Sequence, residues 1–368
     1  LAGTGTLDTA ATNAAAVRSS IGVEGDGERV GFGAGAIAQS DTRTTRAALE
    51  GVAIDGSFIG ARPAVTIEAA LTGESTAFQT SGAGADGGVA GDLSISDLTT
   101  DWATEAAIDG SDLTWPGAVT VSALEQAAVL NRQGALVDAS KGAGTVGLSQ
   151  TVYGSDVIAE LTGGSAIVLA GDTVLLEAHS DSVIRTRAVR SGEAARAVAT
   201  VFADQLSTGE TRASVDDAAI TAPSIVIEAA DASWREIAAS SAATADAVGI
   251  AGGLSRDRYE RDTLARSDAG TLNTNFGDLA VSAVSDTRAT STALGRANGG
   301  DVIGAAALAS WIVDDRDVAA TVDGGTASVS GTMEVTADRS DLHLLLQGTT
   351  SDSSQSVGFG AGVLLTGG

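Results

Sequence analysis

Short runs of alternating apolar and polar residues recur along the chain. In residues 119–123 the side chains of Val119, Val121 and Ala123 alternate with two polar ones. Four further runs have the same phase: 65–69, 174–178, 225–229 and 333–337. A period of two is that of a β-strand with one buried face, and valine, isoleucine and threonine are typical strand residues. The alternation predicts strands whose inward set is Val119, Val121, Ala123 and their equivalents.

These runs belong to a repeat of about 54 residues. Each run ends in an alanine, and the spacing between successive alanines is nearly constant. The alanines are Ala69, Ala123, Ala178, Ala229, Ala283 and Ala337. The peptide Val-Gly-Phe-Gly-Ala-Gly starts at Val30 and again at Val357, an offset of 327, which is close to six periods. An apolar residue followed by aspartate gives a third marker, at 54–55, 108–109, 215–216 and 322–323.

A corner of the chain is predicted before each marked strand. The three prolines, Pro63, Pro116 and Pro223, lie six, seven and six residues before their marker alanines. The other copies place glycine there: Gly171, Gly277 and Gly331. Proline has no N–H for a strand ladder, and glycine reaches positive φ. Both therefore indicate that strand pairing stops at this phase of every repeat.

Two more strand-like stretches fit into each period. A glycine- and alanine-rich segment recurs at 30–38, 302–312 and 357–365. Another runs into the aspartate marker, as in residues 317–322. The alanine-rich stretches 193–201 and 238–247 are compatible with helices, but they occupy phases that favour strand elsewhere. We interpret both as strands.

Short strands on a fixed period favour a solenoid or a propeller. A propeller blade carries aromatic signatures, whereas Trp102, Trp115, Trp234 and Trp311 share no position in the repeat. A parallel β-helix suits small and β-branched interior residues better. We therefore predict an all-β fold, a single β-solenoid of six to seven repeats over residues 1–368. Each period forms either one wide, flattened coil or two to three smaller coils.

The repeats resemble those of giant secreted bacterial proteins. The segments that carry the resemblance are Ala107-Ile108-Asp109-Gly110, the strand at 118–123 and the glycine-rich strand at 357–362. They are similar to repeats of filamentous, haemagglutinin-like and leukotoxin-like adhesins, over nearly the whole chain. The resemblance implies a right-handed parallel β-helix, export through the envelope, and an extracellular or cell-surface role as a long stalk or fibre.

Composition excludes several classes of function. The 368 residues include 47 acidic and 21 basic side chains, for a formal charge of −26. Nucleic acid and anionic lipid are not expected as partners, because phosphate binding needs basic patches. No apolar run is long enough for a transmembrane helix, so we expect no membrane insertion. The absence of cysteine excludes disulfides and thiolate metal sites, and His179 and His343 are the only histidines.

Glycine-rich and aspartate-rich segments do not match the common ligand-binding motifs. Gly31-x-Gly33-x-Gly35 is not the dinucleotide fingerprint, and close backbone packing explains it better. The nearest match to a calcium repeat is the segment 82–86, which occurs once, whereas calcium requires six to eight oxygen ligands. We predict no cofactor and no obligatory metal, with incidental calcium binding at acidic turns as the alternative.

A carbohydrate-active β-helix enzyme, a polysaccharide lyase or hydrolase, is the alternative function. Its carboxylates and cations would come from the densest charged segments, Asp314-Asp315-Arg316 and residues 257–262. Neighbouring residues on a strand point to opposite faces, so these side chains would not converge. Exposed strands joined by cross-strand ion pairs are the simpler interpretation. We predict no catalytic residues and no enzyme activity.

The sequence therefore predicts a structural fibre or stalk segment that provides cohesion or adhesion outside the cell. The spacing of the marker alanines varies little, without the long insertion that an enzyme site would need. The chain starts at Leu1 and ends at Gly368 within repeats, and neither end has a polar capping unit. We expect the main partner to be the chain itself, end to end, or neighbouring repeats of a longer chain. Surface glycans are a further candidate partner.

Overall fold

The computed structural model describes residues 6–56, 64–169, 171–300 and 302–367, and in these residues the only regular secondary structure is β-strand. The strands are β1 (Leu7–Gly27), β2 (Val30–Glu50), β3 (Ala53–Asp55), β4 (Val65–Ala85), β5 (Val89–Asp109), β6 (Asp112–Trp115), β7 (Val119–Ala139), β8 (Gly142–Thr162), β9 (Ala166–Leu169), β10 (Thr173–Asp216), β11 (Ala219–Ala222), β12 (Ser224–Asp268), β13 (Thr271–Thr274), β14 (Leu279–Gly300), β15 (Ile303–Asp314), β16 (Val318–Asp323), β17 (Thr326–Val329), β18 (Met333–Ser353) and β19 (Ser356–Thr366).

One period of the sequence makes one wide coil. Each strand pairs in parallel with its equivalent in the next coil, so that Val65 lies beside Val119 and Glu177 beside Glu228. Seven coils follow one another along the fold: 7–55, 65–115, 119–169, 173–222, 224–274, 279–329 and 333–366. The predicted all-β parallel β-helix is confirmed, and of the two coil widths the single flattened coil is correct. The alanine-rich stretches 193–201 and 238–247 lie inside β10 and β12 as strands.

Each coil has two long sides and one short side. The first long side contains β1, β4, β7, the first halves of β10 and β12, β14 and β18. The chain then bends back at once into the second long side, formed by β2, β5, β8, the second halves of β10 and β12, β15, β16 and β19. Strands of three to four residues close the coil as a separate sheet, in the order β17, β13, β11, β9, β6, β3.

The corner that leads into each first long strand contains the residues that the sequence indicated. Pro116 lies between β6 and β7, and Pro223 between β11 and β12, whereas Pro63 lies outside the described residues. Close packing explains Gly277, since a Cβ there would lie 2.3 Å from the backbone oxygen of Pro223. Residues with positive φ lie instead at the corner that follows the second long side. Examples are Gly110, with a φ of 56°, and the non-glycine residue Ala269, with a φ of 51°.

Two sequence markers are out of structural register. The aspartates at 216, 268 and 323 stack at the end of the second long side, but Ile54-Asp55 lies in β3 and pairs with Leu113-Thr114 of the short side. The first copy of that marker was therefore assigned to the wrong corner. The repeated glycine-rich peptide is shifted as well, because Val357 belongs to the row that starts at Phe32 and not to the row of Val30. A shift by two positions leaves the same face of the strand outward.

The interior changes in character across the coil. Beside the short side the chain has room for large aliphatic residues, among them Ile108, Leu161 and Ile220, all fully buried. Beside the sharp bend between the long sides the two sheets come close, and the core there consists mainly of alanines such as Ala85 and Ala197. Between these two zones the inward positions are largely polar or charged.

The predicted inward row is confirmed. Its members, which pair coil to coil, are Val65, Val119, Val174, Ile225, Leu279 and Met333. The first five are completely buried, and Met333 is 46% exposed because it lies on the last coil described. All six marker alanines also stack in one row.

Candidate functional site

The charged segment 257–262 contributes to two different surfaces. Asp257, Tyr259 and Arg261 point into the coil and are completely buried. Arg258 lies on the outer surface, 3.5 Å from the carboxylate of Asp204 on the preceding coil. The prediction of a wholly exposed strand was therefore wrong for the three inward residues. The predicted cross-strand ion pair is present for an outward one.

Arg261 is the centre of a buried ionic network. Its Nε donates to the carboxylate of Asp231 at 3.1 Å, and the hydroxyl of Tyr259 donates to the same carboxylate. Its terminal nitrogens donate to the backbone oxygen of Ser155 at 2.7 Å and to the hydroxyl of Thr211 at 2.9 Å. Burial lowers the pKa of Arg261, but Asp231 together with Tyr153, Tyr259 and Glu125 outweighs it and leaves this pKa raised. The side chain thus carries a permanent charge in the interior.

A second carboxylate of the network belongs to Glu125. It accepts hydrogen bonds from the hydroxyls of Tyr153 and Ser155, the latter at 2.6 Å. Burial raises the pKa of Glu125, although the charge of Arg261 acts in the opposite direction. Burial also raises the pKa of Tyr153 well above its usual value, so the phenol is a donor rather than a charged group. Every polar atom that Arg261 reaches is thus part of one hydrogen-bonded system.

Asp257 and Arg235 extend the network towards the tight bend. Their charged groups lie 3.5 Å apart, and the guanidinium of Arg235 stacks over the ring of Tyr259 at 3.9 Å. Gln205, on the preceding coil, donates to Asp257 at 3.3 Å. Burial raises the pKa of Asp257, while the charge of Arg235 opposes that effect. Charged side chains from both long sides therefore meet in the middle of the coil.

Two buried arginines, Arg190 and Arg43, each lie against a glycine of another strand, and Arg261 has Gly209 beside it in the strand register. A Cβ added to Gly209 would lie 2.0 Å from the oxygen of Ser155 that Arg261 contacts. A Cβ at Gly147 would lie 2.0 Å from Nε of Arg190, and a Cβ at Gly73 would lie 2.5 Å from a terminal nitrogen of Arg43. Missing side chains at these positions provide the space for long cationic ones. For Arg190, burial lowers the pKa to about 10.

The other predicted charged segment, Asp314-Asp315-Arg316, behaves in the same way. Asp314 and Arg316 point inward, 3.2 Å apart, and Asp315 is exposed. Asp314 also lies 3.0 Å from Nε2 of His343 and close to Asp341. Burial would raise the pKa of Asp314, but the hydrogen bond from His343 and the charge of Arg316 leave it lowered.

These three groups, Asp314, Asp341 and His343, are the only set of potential metal ligands in the described part of the chain. Arg316 contacts both carboxylates, and Arg339 lies 2.7 Å from Asp341. Two guanidinium groups thus supply the positive charge that a divalent cation would supply. The cluster is an ion-pair cluster of the interior. His179 lies two to three coils before it, on the exposed outer surface near the start of the first long side.

The glycine-rich segments pack backbone against backbone. Gly31 and Gly33 lie in β2, where an added Cβ would approach the backbone oxygens of Gly84 and Gly82 to 2.0 and 2.2 Å. The prediction of close backbone packing is confirmed for Gly31 and Gly33, whereas an added Cβ at Gly35 would meet the side-chain amide nitrogen of Gln79 at 2.7 Å. The aspartate of segment 82–86 lines an open groove with Asp26 and Asp138.

The end of the last coil has a different kind of surface. Val335 is 41% exposed, although its equivalents Val121, Ile227 and Val281 are fully buried under the next coil. In the described residues β18 pairs only with β14, and β19 only with β15. We call the free side of β18 and β19 the end face. It combines apolar interior side chains with the backbone groups of two unpaired strand edges.

Sequence reasoning missed Glu125, Asp231 and Arg235 as interior residues. A signal was present, because all three are in phase with the inward alternation that runs through Val121 and Ile227. The carboxylates of residues 257–262 and 314–316 that point inward are closed off from any polymeric substrate.

Comparison with protein-family models, with curated proteins and with solved structures gives no match to this chain. No helix in the described ranges is long and apolar enough to cross a membrane.

Proposed function

We propose that the chain is a structural segment of an extracellular fibre or stalk, in which further coils continue the solenoid at the end face. The observation that carries the proposal is the exposure of Met333 and Val335, whose equivalents are buried in the inner coils. A coil stacked on β18 and β19 would bury these side chains in the same way. It would come from neighbouring repeats of a longer chain or from a second copy.

The backbone of the end face supports this proposal. β18 and β19 span 21 and 11 residues, and a parallel partner strand would pair their free N–H and C=O groups. An exposed, regular strand edge is a template for strand addition. Proteins that avoid it use charges, prolines or bulges. β18 contains five charged residues, among them Arg339 and Asp341 of the interior, whereas β19 contains none, and neither strand contains a proline. The edge therefore favours association by strand pairing.

The interior supports a mechanical role as well. Ion pairs and hydrogen bonds join residues of different coils, so that Arg261 connects the fifth coil to the third. Contacts of this kind resist separation of coils along the axis. The resemblance to giant secreted adhesins agrees with this role and favours a place outside the cell or on its surface. Cohesion or attachment, with surface glycans as candidate ligands, follows from the same proposal.

A mass measurement over a range of concentrations tests the proposal. Light scattering of the 368-residue chain should show end-to-end oligomers that grow with concentration. Val335→Asp places a carboxylate on the end face and should prevent this growth. Thr336→Asp, on the same strand but outward, adds the same charge and should leave growth intact.

A mass that stays constant with concentration for the unsubstituted chain would contradict the proposal. Equal growth of the Val335→Asp and Thr336→Asp variants would contradict the end face as the contact. Incubation with acidic glycans should release no unsaturated or reducing sugar ends, since release would show a carbohydrate-active enzyme instead.

A further inference from the structure

The outer surface of the second long side carries a continuous uncharged area, which we call the apolar face. It consists of three rows of outward side chains that run along all seven coils. The rows begin at Phe32, Ala34 and Ala36 and end at Val357, Phe359 and Ala361. Three rows of seven residues contain no charged side chain, and Thr200 is the only polar one.

Large side chains on this face are open to solvent. Phe32 and Phe359 are 64% and 68% exposed, and Phe202, at the centre of the face, is 43% exposed. Seven strands about 4.8 Å apart and three rows about 6.7 Å apart cover roughly 600–700 Å². Soluble monomers rarely expose a contiguous apolar area of that size. It approaches the roughly 800 Å² that each partner contributes to a stable interface.

Charge indicates what kind of partner fits. The chain carries a formal charge of −26, so two copies repel one another over most of their surface. The apolar face is free of carboxylates, and two copies that meet there bring no like charges into contact. It is also an extended sheet surface, which matches another sheet surface of the same length.

We propose that two copies of the chain pack apolar face against apolar face, related by a two-fold axis. With parallel or with antiparallel coil axes, such an axis places the fourth coil of one copy over the fourth coil of the other. Thr200 of the middle row then lies at the centre of the contact and meets its own copy. Val198 and Phe202, two positions to either side of Thr200 on the same strand, lie in the same central part of the contact.

This lateral contact is independent of the end face, because its side chains lie on the outer surface of the second long side.

A matched pair of substitutions tests the lateral contact. Phe202→Asp places one carboxylate from each copy in the central part of the contact, close to Thr200. Phe78→Asp is the control, since Phe78 is also 43% exposed but lies on the outer surface of the first long side. Both are made in the Val335→Asp chain, so that end-to-end growth does not contribute to the mass.

In sedimentation equilibrium, the Val335→Asp chain and its Phe78→Asp variant should be dimers. Phe202→Asp should weaken dimerisation at least about a hundredfold, because charges in an apolar contact lose their solvation. A monomeric Val335→Asp chain would overturn the proposal, and so would its uptake by uncharged phosphatidylcholine vesicles in place of dimerisation. Failure of end-to-end growth in the unsubstituted chain would not affect this result.

Crosslinking tests which surfaces meet. The chain contains no cysteine, so a single introduced thiol reports its own position. With a short bismaleimide, which spans the ~10 Å between packed sheets, Thr200→Cys should give a crosslinked dimer. Phe78→Cys, on the first long side, should give none. A crosslink at Phe78→Cys, or no crosslink at Thr200→Cys, would overturn the proposal.

Discussion

The guanidinium of Arg261, on the fifth coil, donates a hydrogen bond of 2.7 Å to the backbone oxygen of Ser155, on the third coil. The residue between them in the same row is Gly209. Since glycine has no side chain, the long arginine can pass the fourth coil. One side chain thus connects three successive coils, which is a contact that only a stacked fold can make.

Gly209→Ala should destabilise the fold. Its φ of 118° is unfavourable for any side chain, and the added Cβ would lie 2.0 Å from the oxygen of Ser155. We expect a loss of at least about 2 kcal/mol in the free energy of unfolding, measured by denaturant titration. Gly134→Ala is the control, because nothing lies within 4 Å of its Cβ, and it should be neutral or slightly stabilising. Equal effects of the two substitutions would contradict the tight passage at Gly209.

Arg261→Met should leave Asp231 as an uncompensated charge in the interior. Both side chains are completely buried, and breaking such a pair costs about 3–5 kcal/mol. Thermal and denaturant unfolding measure the effect. The double variant Arg261→Met/Asp231→Asn removes the stranded charge and should recover part of the loss. Arg18→Met, at the exposed ion pair with Glu74, should leave the unfolding midpoint unchanged. Similar midpoints for Arg261→Met and Arg18→Met would contradict the role of the buried network.

The pH dependence of stability should reveal the buried carboxyl group of Glu125. Burial raises its pKa in the folded chain above the unfolded value, so the folded state retains the proton to higher pH. The contribution of Glu125 to stability is therefore complete below the unfolded pKa and is lost as pH rises through the folded one. Glu125→Gln cannot lose a proton, and its stability relative to the unsubstituted chain should increase from about pH 4 upward.

Comparison with Glu125→Gln removes the contribution of the other titrating groups to the pH dependence of stability. Asp257 and Asp92 have pKa values raised by burial, whereas that of Asp314 is lowered, and all three are present in both chains. Denaturant unfolding at a series of pH values gives the difference. A difference that is independent of pH would show that folding leaves the pKa of Glu125 unchanged, and one that decreases as pH rises would show that folding lowers this pKa. Either result would contradict the raised pKa of the buried carboxyl group.

Chelation should leave the fold intact. Guanidinium groups already neutralise the cluster of Asp314, Asp341 and His343, so we expect no structural calcium there. With EDTA at fixed ionic strength, the melting temperature should change by less than about 2 °C. A decrease of more than about 10 °C would show that a metal ion holds the fold.

Much of the coil could be predicted from the sequence because the alternation is strict there. Val119, Val121 and Ala123 are inward as predicted, and Pro116 lies at its predicted corner. The coil width could not be predicted, because the period of the repeat is compatible with one wide coil or several narrow ones. Stacking of Glu177 on Glu228 reveals the single coil only once the register is known.

The buried charges were missed for a related reason. Local alternation places Asp257 and Arg261 on one face of a strand, and an exposed face is the usual place for such residues. Their partners Arg235 and Asp231 lie on the opposite long side, more than twenty residues away, and the distance along the chain hides the pairing. The end face and the apolar face depend on the same register, which positions rows of residues from all seven coils.

Electron cryomicroscopy of the concentrated 368-residue chain tests the central claim most directly. If coils stack at the end face, the images should show fibres with strands perpendicular to the long axis. Their axial repeat of about 4.7–4.9 Å should continue without interruption through the junction between chains. Isolated particles about seven coils long at every concentration, or fibres with strands along the axis, would contradict the account.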